Sequence, residues 1–107
     1  MIIAITSTGP NTDAFISEKF GRCSFFALYD TESRTIRTIN NTAENLEHGA
    51  GPKAAQLIIN ENAEVVLTGA VGSNAEDVLN KGRVKIITGF KSNQKVSEAI
   101  NSYQNKN

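Results

Sequence analysis

Short apolar runs alternate with polar connections along this chain, and the pattern predicts a sheet covered by helices. Residues 2–6 are almost entirely apolar and end in turn residues, which is typical of a strand buried on both faces and therefore central. An aromatic run at residues 24–30 and a Thr- and Ile-rich run at residues 34–40 flank a polar turn. They predict an antiparallel hairpin, whose second arm carries two arginines and suits a sheet edge.

The second half of the chain alternates helical and strand patterns. The first helix is predicted to have Pro52 at its first position and one stripe formed by Ala54, Leu57, Ile58 and Glu61, and a strand at residues 65–68 follows it. The second helix is predicted to open with a capping box of Ser73 and Glu76 and to end at Gly82, and a strand at residues 84–88 follows it. The last helix is predicted to be capped by Ser92, with Val96, Ala99, Ile100 and Tyr103 facing inward. The last four residues are expected to fray. Right-handed crossovers make the strands of this half parallel to the first strand.

Composition narrows the possible functions. The 107 residues are expected to form one domain, residues 1–107, with eleven basic and eleven acidic side chains and a formal net charge of zero. This balance lacks the positive surface expected of a protein that binds nucleic acid or an anionic membrane. The N-terminus has no basic flank and no apolar run is long enough to span a bilayer, so we expect a cytoplasmic protein. The single cysteine excludes an internal disulfide.

The predicted topology collects the chemically interesting residues at one edge of the sheet. Parallel strands end, and the following helices begin, at the carboxyl edge, where open α/β proteins usually bind ligands. Asp30 and Glu32 fall at the opposite end. The residues predicted to meet at the carboxyl edge are Lys19, Arg22, Cys23, His48, Lys53 and the turn at residues 69–72.

The Gly-rich stretch at residues 47–56 holds the single histidine and opens a predicted helix. Amide groups at a helix start carry partial positive charge, so this loop suits an anion or a metal cluster. The imidazole of His48 is a donor for transition metals, but one His and one Cys do not complete a tetrahedral site. A metal must therefore arrive as a preassembled cluster or be shared between chains. Cys23 is either a small buried apolar residue or a thiolate ligand, whose pKa Arg22 would lower.

Three segments together resemble a known family. They are Ser-Glu-Lys-Phe-Gly-Arg-Cys at residues 17–23, His-Gly-Ala-Gly-Pro-Lys-Ala-Ala-Gln at residues 48–56, and Thr-Gly-Ala-Val-Gly-Ser-Asn-Ala at residues 68–75. In this order the segments resemble the dinitrogenase iron-molybdenum cofactor biosynthesis family, the small NifX/NifY-like domains that also occur at the C-terminus of NifB. The resemblance covers essentially the whole chain.

The resemblance implies both a fold and a role. The fold is an α/β, ribonuclease-H-like, five-stranded mixed sheet in the order 3-2-1-4-5, with strand 2 antiparallel and three helices. The role is that of a non-enzymatic carrier that holds the iron-molybdenum cofactor or its iron-sulfur precursor. His48 and Cys23 become candidate metal ligands by this analogy. The remaining candidate cofactor-binding residues are Arg22, Gly49, Gly51, Lys53, Gly69 and Gly72.

We expect a metallocluster and a cofactor-assembly or acceptor protein as partners, neither nucleic acid nor membrane, and a monomer or weak dimer. Two other functions remain open. The same Gly-rich loops suit a sensor of a small anionic metabolite or phosphate. A ribonuclease-H-like nuclease would need a carboxylate on the central strand, and the run Ile-Ile-Ala-Ile-Thr has none.

Overall fold

The computed structural model describes residues 1–104, which form five strands and three helices. The strands are β1 (Ile2–Ser7), β2 (Phe25–Asp30), β3 (Thr35–Asn40), β4 (Ala63–Leu67) and β5 (Lys85–Ile87). The helices are α1 (Ala50–Asn60), α2 (Ser73–Lys81) and α3 (Val96–Gln104), and a 3₁₀ turn covers Phe20–Arg22. Apart from Gln104, which ends α3, the predicted fraying of the tail concerns residues outside the described part of the chain.

The sheet order is β3-β2-β1-β4-β5, as predicted. Strand β2 pairs antiparallel with β1 and β3, whereas β1, β4 and β5 pair in parallel. Ala4 in the middle of β1 lies opposite Leu28 on one side and Val66 on the other. The nearly unbroken apolar run of β1 therefore reflects a strand that has neighbours on both edges and covered faces on both sides.

Two apolar layers cover the two faces of the sheet. Alternate residues of β1 serve different layers: Ala4 packs in the layer under α1 and α2, whereas Ile3 and Ile5 pack in the layer under α3. Val96 and Ala99 of α3 are fully buried in the second layer, as the helical stripe predicts. The alternation fixes which residues can reach each face, because a shift of one residue would exchange the two sets.

The details predicted for the three helix N-termini are wrong. Helix α1 begins at Ala50, so Pro52 takes the third helical position, where its missing N–H is one of the donors that the first turn leaves free in any case. Helix α2 begins at Ser73 with Gly72 as its N-cap, and its N-terminus has no side-chain cap, so the predicted capping box with Glu76 does not form. Ser92 does not cap α3, which begins at Val96.

The strand directions bring all three helix starts to one edge of the sheet. Strands β1, β3, β4 and β5 run in the same direction, and the connections that follow β3, β4 and β5 lead to α1, α2 and α3. We call the edge where these strands end the carboxyl rim, and the opposite edge the amino edge. Within residues 1–104, no helix combines the length and the apolar character needed to span a membrane.

Candidate functional site

A depression of about 440 Å³ opens at the carboxyl rim. Its lining comes from three segments that are far apart in the chain: the 3₁₀ turn, the start of α1 and the start of α2. The lining residues are Gly21, Arg22, Gly49, Ala50, Gly51, Pro52, Gly72, Ser73, Asn74 and Ala75. The volume is within the range of about 300 to 1,000 Å³ that is typical of small-molecule sites.

Small residues bring these three segments into contact. A Cβ atom on Gly21 would lie 2.8 Å from the Gly51 Cα and backbone nitrogen, and one on Gly51 would lie 3.0 Å from the Ala75 Cβ. Both glycines therefore permit an approach that no larger residue allows. As a result, the starts of α1 and α2 lie side by side, with the 3₁₀ turn against α1.

The backbone amides at both helix starts are not capped by side chains. The first intrahelical amide of α1 is that of Lys53, which donates to the Gly49 carbonyl, and the corresponding donor in α2 is Glu76, which donates to the Gly72 carbonyl. The preceding amides have no intrahelical acceptor, and Pro52 carries none. Five amides of lining residues at the two helix starts therefore have no hydrogen-bond acceptor among the described residues, namely those of Ala50, Gly51, Ser73, Asn74 and Ala75. Both helix dipoles favour negative charge here.

Gly72 lines the depression although neither its backbone nor its packing requires a glycine. Its φ of −72° is ordinary for any residue. A Cβ at this position would have no atom of the protein within 4 Å. A serine or aspartate here would cap α2 with its own oxygen and occupy the amide donors that the lining now presents. The glycine therefore keeps both the space and the donors open, which fits an external anion.

Arg22 is the cationic side chain of the lining. Its Nη1 donates to the carbonyl oxygens of Glu44 at 2.9 Å and of Leu46 at 2.6 Å. The guanidinium thus ties the loop between β3 and α1 to the 3₁₀ turn. A guanidinium has five N–H groups, so Nε and Nη2 retain three donors beside these two bonds.

His48 and Lys53 lie next to the depression, but they are not among its lining residues. His48 is exposed and immediately precedes Gly49, and Lys53 is exposed and follows Pro52. Gly49 has a φ of 75°, a left-handed conformation that favours glycine, and it turns the chain from the exposed loop into α1. Both residues therefore belong to the segment that turns into α1 at the rim, directly beside the lining residues Gly49 and Pro52.

The expectation that the Cys23 sulfur faces the carboxyl rim is wrong. The residue is 1% exposed and packs in the layer that contains Phe20 and Phe26. Its thiol donates to the Phe20 carbonyl at 3.3 Å. Burial raises the pKa of the thiol to about 12, although Asn41 opposes that shift through a hydrogen bond. The thiol is therefore protonated at neutral pH and lies below the surface, so Arg22 does not activate it.

Gly69 supports the rim without lining the depression. A Cβ at this position would lie 2.5 Å from the Glu18 carbonyl oxygen, and the Ala70 amide donates to the same oxygen at 2.8 Å. The Glu18 carboxylate in turn accepts the Ser92 amide at 2.6 Å, and this bond lowers the pKa of the carboxyl group. The long connection at residues 8–24 is thus fastened to the turns that follow β4 and β5.

The charges and donors around the depression restrict how a metal can bind. Within residues 1–104, no three His, Cys, Asp or Glu side chains come close enough to share a metal ion. Glu76 lies in the first turn of α2 and offsets part of the positive potential of that helix, but it is not a lining residue. A metal at this rim must therefore bring most of its own ligands, as a preassembled cluster does.

Asn41 is a structural residue of the site that sequence reasoning missed. It is 4% exposed, and its Nδ2 donates to the carbonyls of Gly21 at 3.1 Å and of Cys23 at 2.8 Å. Its Oδ1 accepts the Ala43 amide at 3.1 Å. An asparagine directly after a strand can accept the backbone amide two residues further on, and this position in the sequence is a signal for that local turn. The tertiary partners of Nδ2 have no local signal.

The chain is similar in sequence to one family model and to a protein from an archaeon. The family model for dinitrogenase iron-molybdenum cofactor matches residues 1–106. An uncharacterized protein of Methanocaldococcus jannaschii is 35% identical over 66 residues, which are 59% of this chain and 56% of the relative. The match therefore covers little more than half of that relative's length.

Two solved structures share both the fold and a recognisable sequence similarity. The apo form of the orange protein from Desulfovibrio gigas superposes with a TM-score of 0.93 at 30% identity, covering 98% of this chain and 88% of that one. A candidate NifB protein from Thermotoga, assigned to the DUF35 family, gives a TM-score of 0.85 at 33% identity, covering 97% of this chain and 87% of that one. The α/β fold with an antiparallel second strand is therefore common to these proteins.

Proposed function

The chain belongs to the dinitrogenase iron-molybdenum cofactor family, and from this premise we propose that it is a non-enzymatic carrier of an anionic metallocluster. The cargo is the iron-molybdenum cofactor or an iron-sulfur precursor, held at the depression of the carboxyl rim during cofactor assembly. The observation that carries the proposal is the convergence of two uncapped helix starts and Arg22 on one open depression.

The binding groups suit an anion that arrives with its metal ligands already in place. Five backbone amides and the free N–H groups of Arg22 are hydrogen-bond donors, and cluster sulfides or carboxylate oxygens accept such bonds. A rigid array of amides needs little reorganisation when the cargo binds or leaves, which suits transfer more than permanent storage. Gly49 and Gly72 have no side chains, and a Cβ atom at either position would meet no atom of the protein within 4 Å, which leaves the space that a compact inorganic guest needs.

His48 is the residue that we propose as a direct metal ligand. It is exposed, precedes Gly49 at the border of the depression, and its imidazole is a donor for iron and molybdenum. Lys53 and Arg22 would balance the negative charge of the cargo. We leave Cys23 out of the ligand set, because its protonated thiol is sealed in the core. One histidine would hold the cargo loosely enough for an acceptor protein to remove it.

Two relatives support a binding role. The orange protein was described in its apo form, which identifies it as a protein that also has a loaded form. The Thermotoga protein was described as a candidate NifB protein. Both are about one third identical to this chain over nearly its whole length. A ligand-binding role at the same rim is the simplest explanation for this similarity.

An anaerobic titration tests the proposal. Purified protein is titrated with isolated iron-molybdenum cofactor and, separately, with tetrathiomolybdate, and binding is followed by visible absorption. We expect saturable binding of both probes. Arg22→Gln should weaken both about tenfold because it loses a charged hydrogen bond, and His48→Ala should weaken the cofactor about tenfold because it loses a metal ligand. The matched control is Lys81→Gln, which removes a positive charge at the far end of α2 and should leave the affinity unchanged.

The control anions separate a cluster carrier from a sensor of small anionic metabolites. Sulfate and inorganic phosphate offer oxygen acceptors without metal or sulfide. If a phosphate compound raises the melting temperature while neither the cofactor nor tetrathiomolybdate binds, the depression is a phosphate site and the carrier proposal fails. If affinity for the cofactor is the same in His48→Ala as in the unmodified protein, the histidine is not a ligand.

A further inference from the structure

The loop before α1 has one firmly held half and one exposed half. Asn41 and Ala43 are buried and fix the first half against the 3₁₀ turn. The four residues after Glu44, namely Asn45, Leu46, Glu47 and His48, are all exposed, and we call them the His48 segment. Leu46 exposes 41% of its surface.

Arg22 is the side chain that attaches the His48 segment to the rest of the protein. Within the described residues, the hydrogen bonds of the segment are the Leu46 amide to the Ala43 carbonyl at 3.1 Å and Arg22 Nη1 to the Leu46 carbonyl at 2.6 Å. The first is internal to the loop. The bond from Arg22 joins the His48 segment to the lining of the depression, because Arg22 is itself a lining residue.

We propose that Arg22 is a positioning residue that couples occupancy of the depression to closure of the His48 segment. This inference rests on the proposed function. With Nη1 on the Glu44 and Leu46 carbonyls, Nε and Nη2 remain for an anion. The guanidinium is planar and rigid, so an anion bound on one side fixes the donors on the other. Each contact lowers the ordering entropy that the other must overcome, and the two therefore reinforce each other.

The consequence is a carrier whose histidine segment closes as the cargo arrives and loosens as it leaves. A cargo-free protein holds the segment by Arg22 alone. A loaded protein holds it by an Arg22 that the anion has immobilised, which keeps His48 at the border of the depression. Lysine at position 22 would keep the positive charge but could not bond two carbonyls and an anion in one plane.

The attachment is tested without any anion, by cleavage of the Glu47–His48 bond with a glutamate-specific protease. The rate of this cleavage follows the fraction of open segment when opening is fast. We expect cleavage to be about tenfold faster in both Arg22→Lys and Arg22→Gln, since each loses the bonds from Nη1 to the loop carbonyls. Lys81→Gln is the control for loss of charge. Equal rates in all four proteins would overturn the attachment.

The coupling is tested by repeating the digestion with tetrathiomolybdate and with sulfate. An unstructured peptide with the sequence of residues 41–52 reports any inhibition of the protease itself. We expect tetrathiomolybdate to slow cleavage about tenfold in the unmodified protein and to leave the rate unaltered in Arg22→Lys at saturating anion. Binding with no protection of the unmodified protein would overturn the coupling while the carrier proposal stands. Absence of binding would refute both the carrier proposal and the coupling. The digestion without anion would still show whether Arg22 holds the His48 segment.

Discussion

The chain reverses direction through glycines at the carboxyl rim and through larger residues at the amino edge. Seven of the eight glycines lie at the rim, six of them in connections and Gly51 in the first turn of α1, and Gly82 is the exception. Among residues 1–104, the residues with left-handed backbone at the amino edge are Arg34, Asn62 and Arg83, with φ of 58°, 66° and 60°. In the same part of the chain, the residues with positive φ at the rim are Gly49 and Gly89.

The difference shows that the glycines at the rim mainly avoid steric clashes and leave room, and that a positive φ is required at few of them. Gly21, Gly51 and Gly69 allow backbones to approach, and Gly72 leaves open room in the depression. At the amino edge the protein tolerates strained turns, since a non-glycine residue in the left-handed region costs about 1–2 kcal/mol. Glycine is thus placed where a ligand or a neighbouring backbone needs room, and it is largely absent where only a turn is required.

Gly69→Ala should produce the largest loss of stability. Its Cβ would lie 2.5 Å from the Glu18 carbonyl oxygen and 2.6 Å from the Glu18 Cα, so backbone atoms would have to move. We expect the free energy of unfolding in urea to fall by about 3 kcal/mol, at the upper end for overpacking. Gly72→Ala is the matched control, because its Cβ meets nothing within 4 Å, and it should change stability by less than about 1 kcal/mol. Equal losses would refute the distinction between contact glycines and open glycines.

Cys23 tests how well the layer beneath the rim is sealed. Its thiol titrates near pH 12 in the folded protein and near 9.0 when unfolded, so the unfolded chain loses the proton first as pH rises. The stabilisation is complete below pH 9 and disappears between about pH 9 and 12, with a slope of about 1.4 kcal/mol per pH unit. The measurement is the pH dependence of unfolding relative to Cys23→Ala, which cancels the lysine and tyrosine titrations. Parallel curves, or rapid alkylation of the native protein at pH 8, would show that the thiol is exposed.

Arg83→Gly should stabilise the protein, whereas replacement of a glycine at the rim, as in Gly69→Ala, should destabilise it. Arg83 follows α2 at φ 60°, and glycine removes the left-handed strain while adding entropy to the unfolded chain. The net gain should be about 0.5–1 kcal/mol in urea unfolding. Lys81→Gly, two residues earlier and inside α2, loses the same charge and should destabilise by about 1 kcal/mol. A loss in both variants would mean that the Arg83 side chain has a stabilising role.

Gly72→Ser should have the smallest effect on stability and a larger one on binding. Serine at the N-cap of α2 would accept an amide of the first turn and raise stability by a few tenths of a kcal/mol. The same oxygen would occupy a donor and fill part of the depression, so affinity for tetrathiomolybdate should fall about tenfold. Thermal unfolding and the anaerobic titration measure the two effects on one sample. Unchanged affinity would show that the start of α2 does not contact the anion.

Local pattern was sufficient for much of the site. The sequence indicates Arg22, Gly49, Gly51 and Gly72 as candidates, and all four line the depression. It also indicates Gly69, whose role in the structure is to pack against Glu18. For Cys23 the sequence allows both a core position and a ligand, since a lone thiol beside an arginine occurs in either setting. Burial decided the matter, and it depends on how the aromatic residues of β2 pack.

The sequence by itself determined the strand directions and the edge at which polar residues collect, because these follow from alternation, crossover handedness and turn chemistry. The sheet order was predicted from the resemblance to the family. Only the tertiary structure decided where the helices begin, that Gly72 replaces a capping side chain, and that Arg22 bonds to the Leu46 carbonyl. Such details depend on contacts between segments 20 to 50 residues apart, such as Gly21 with Gly51. Periodicity carries no information about those contacts, since each glycine or arginine fits its own local pattern equally well with or without the distant partner.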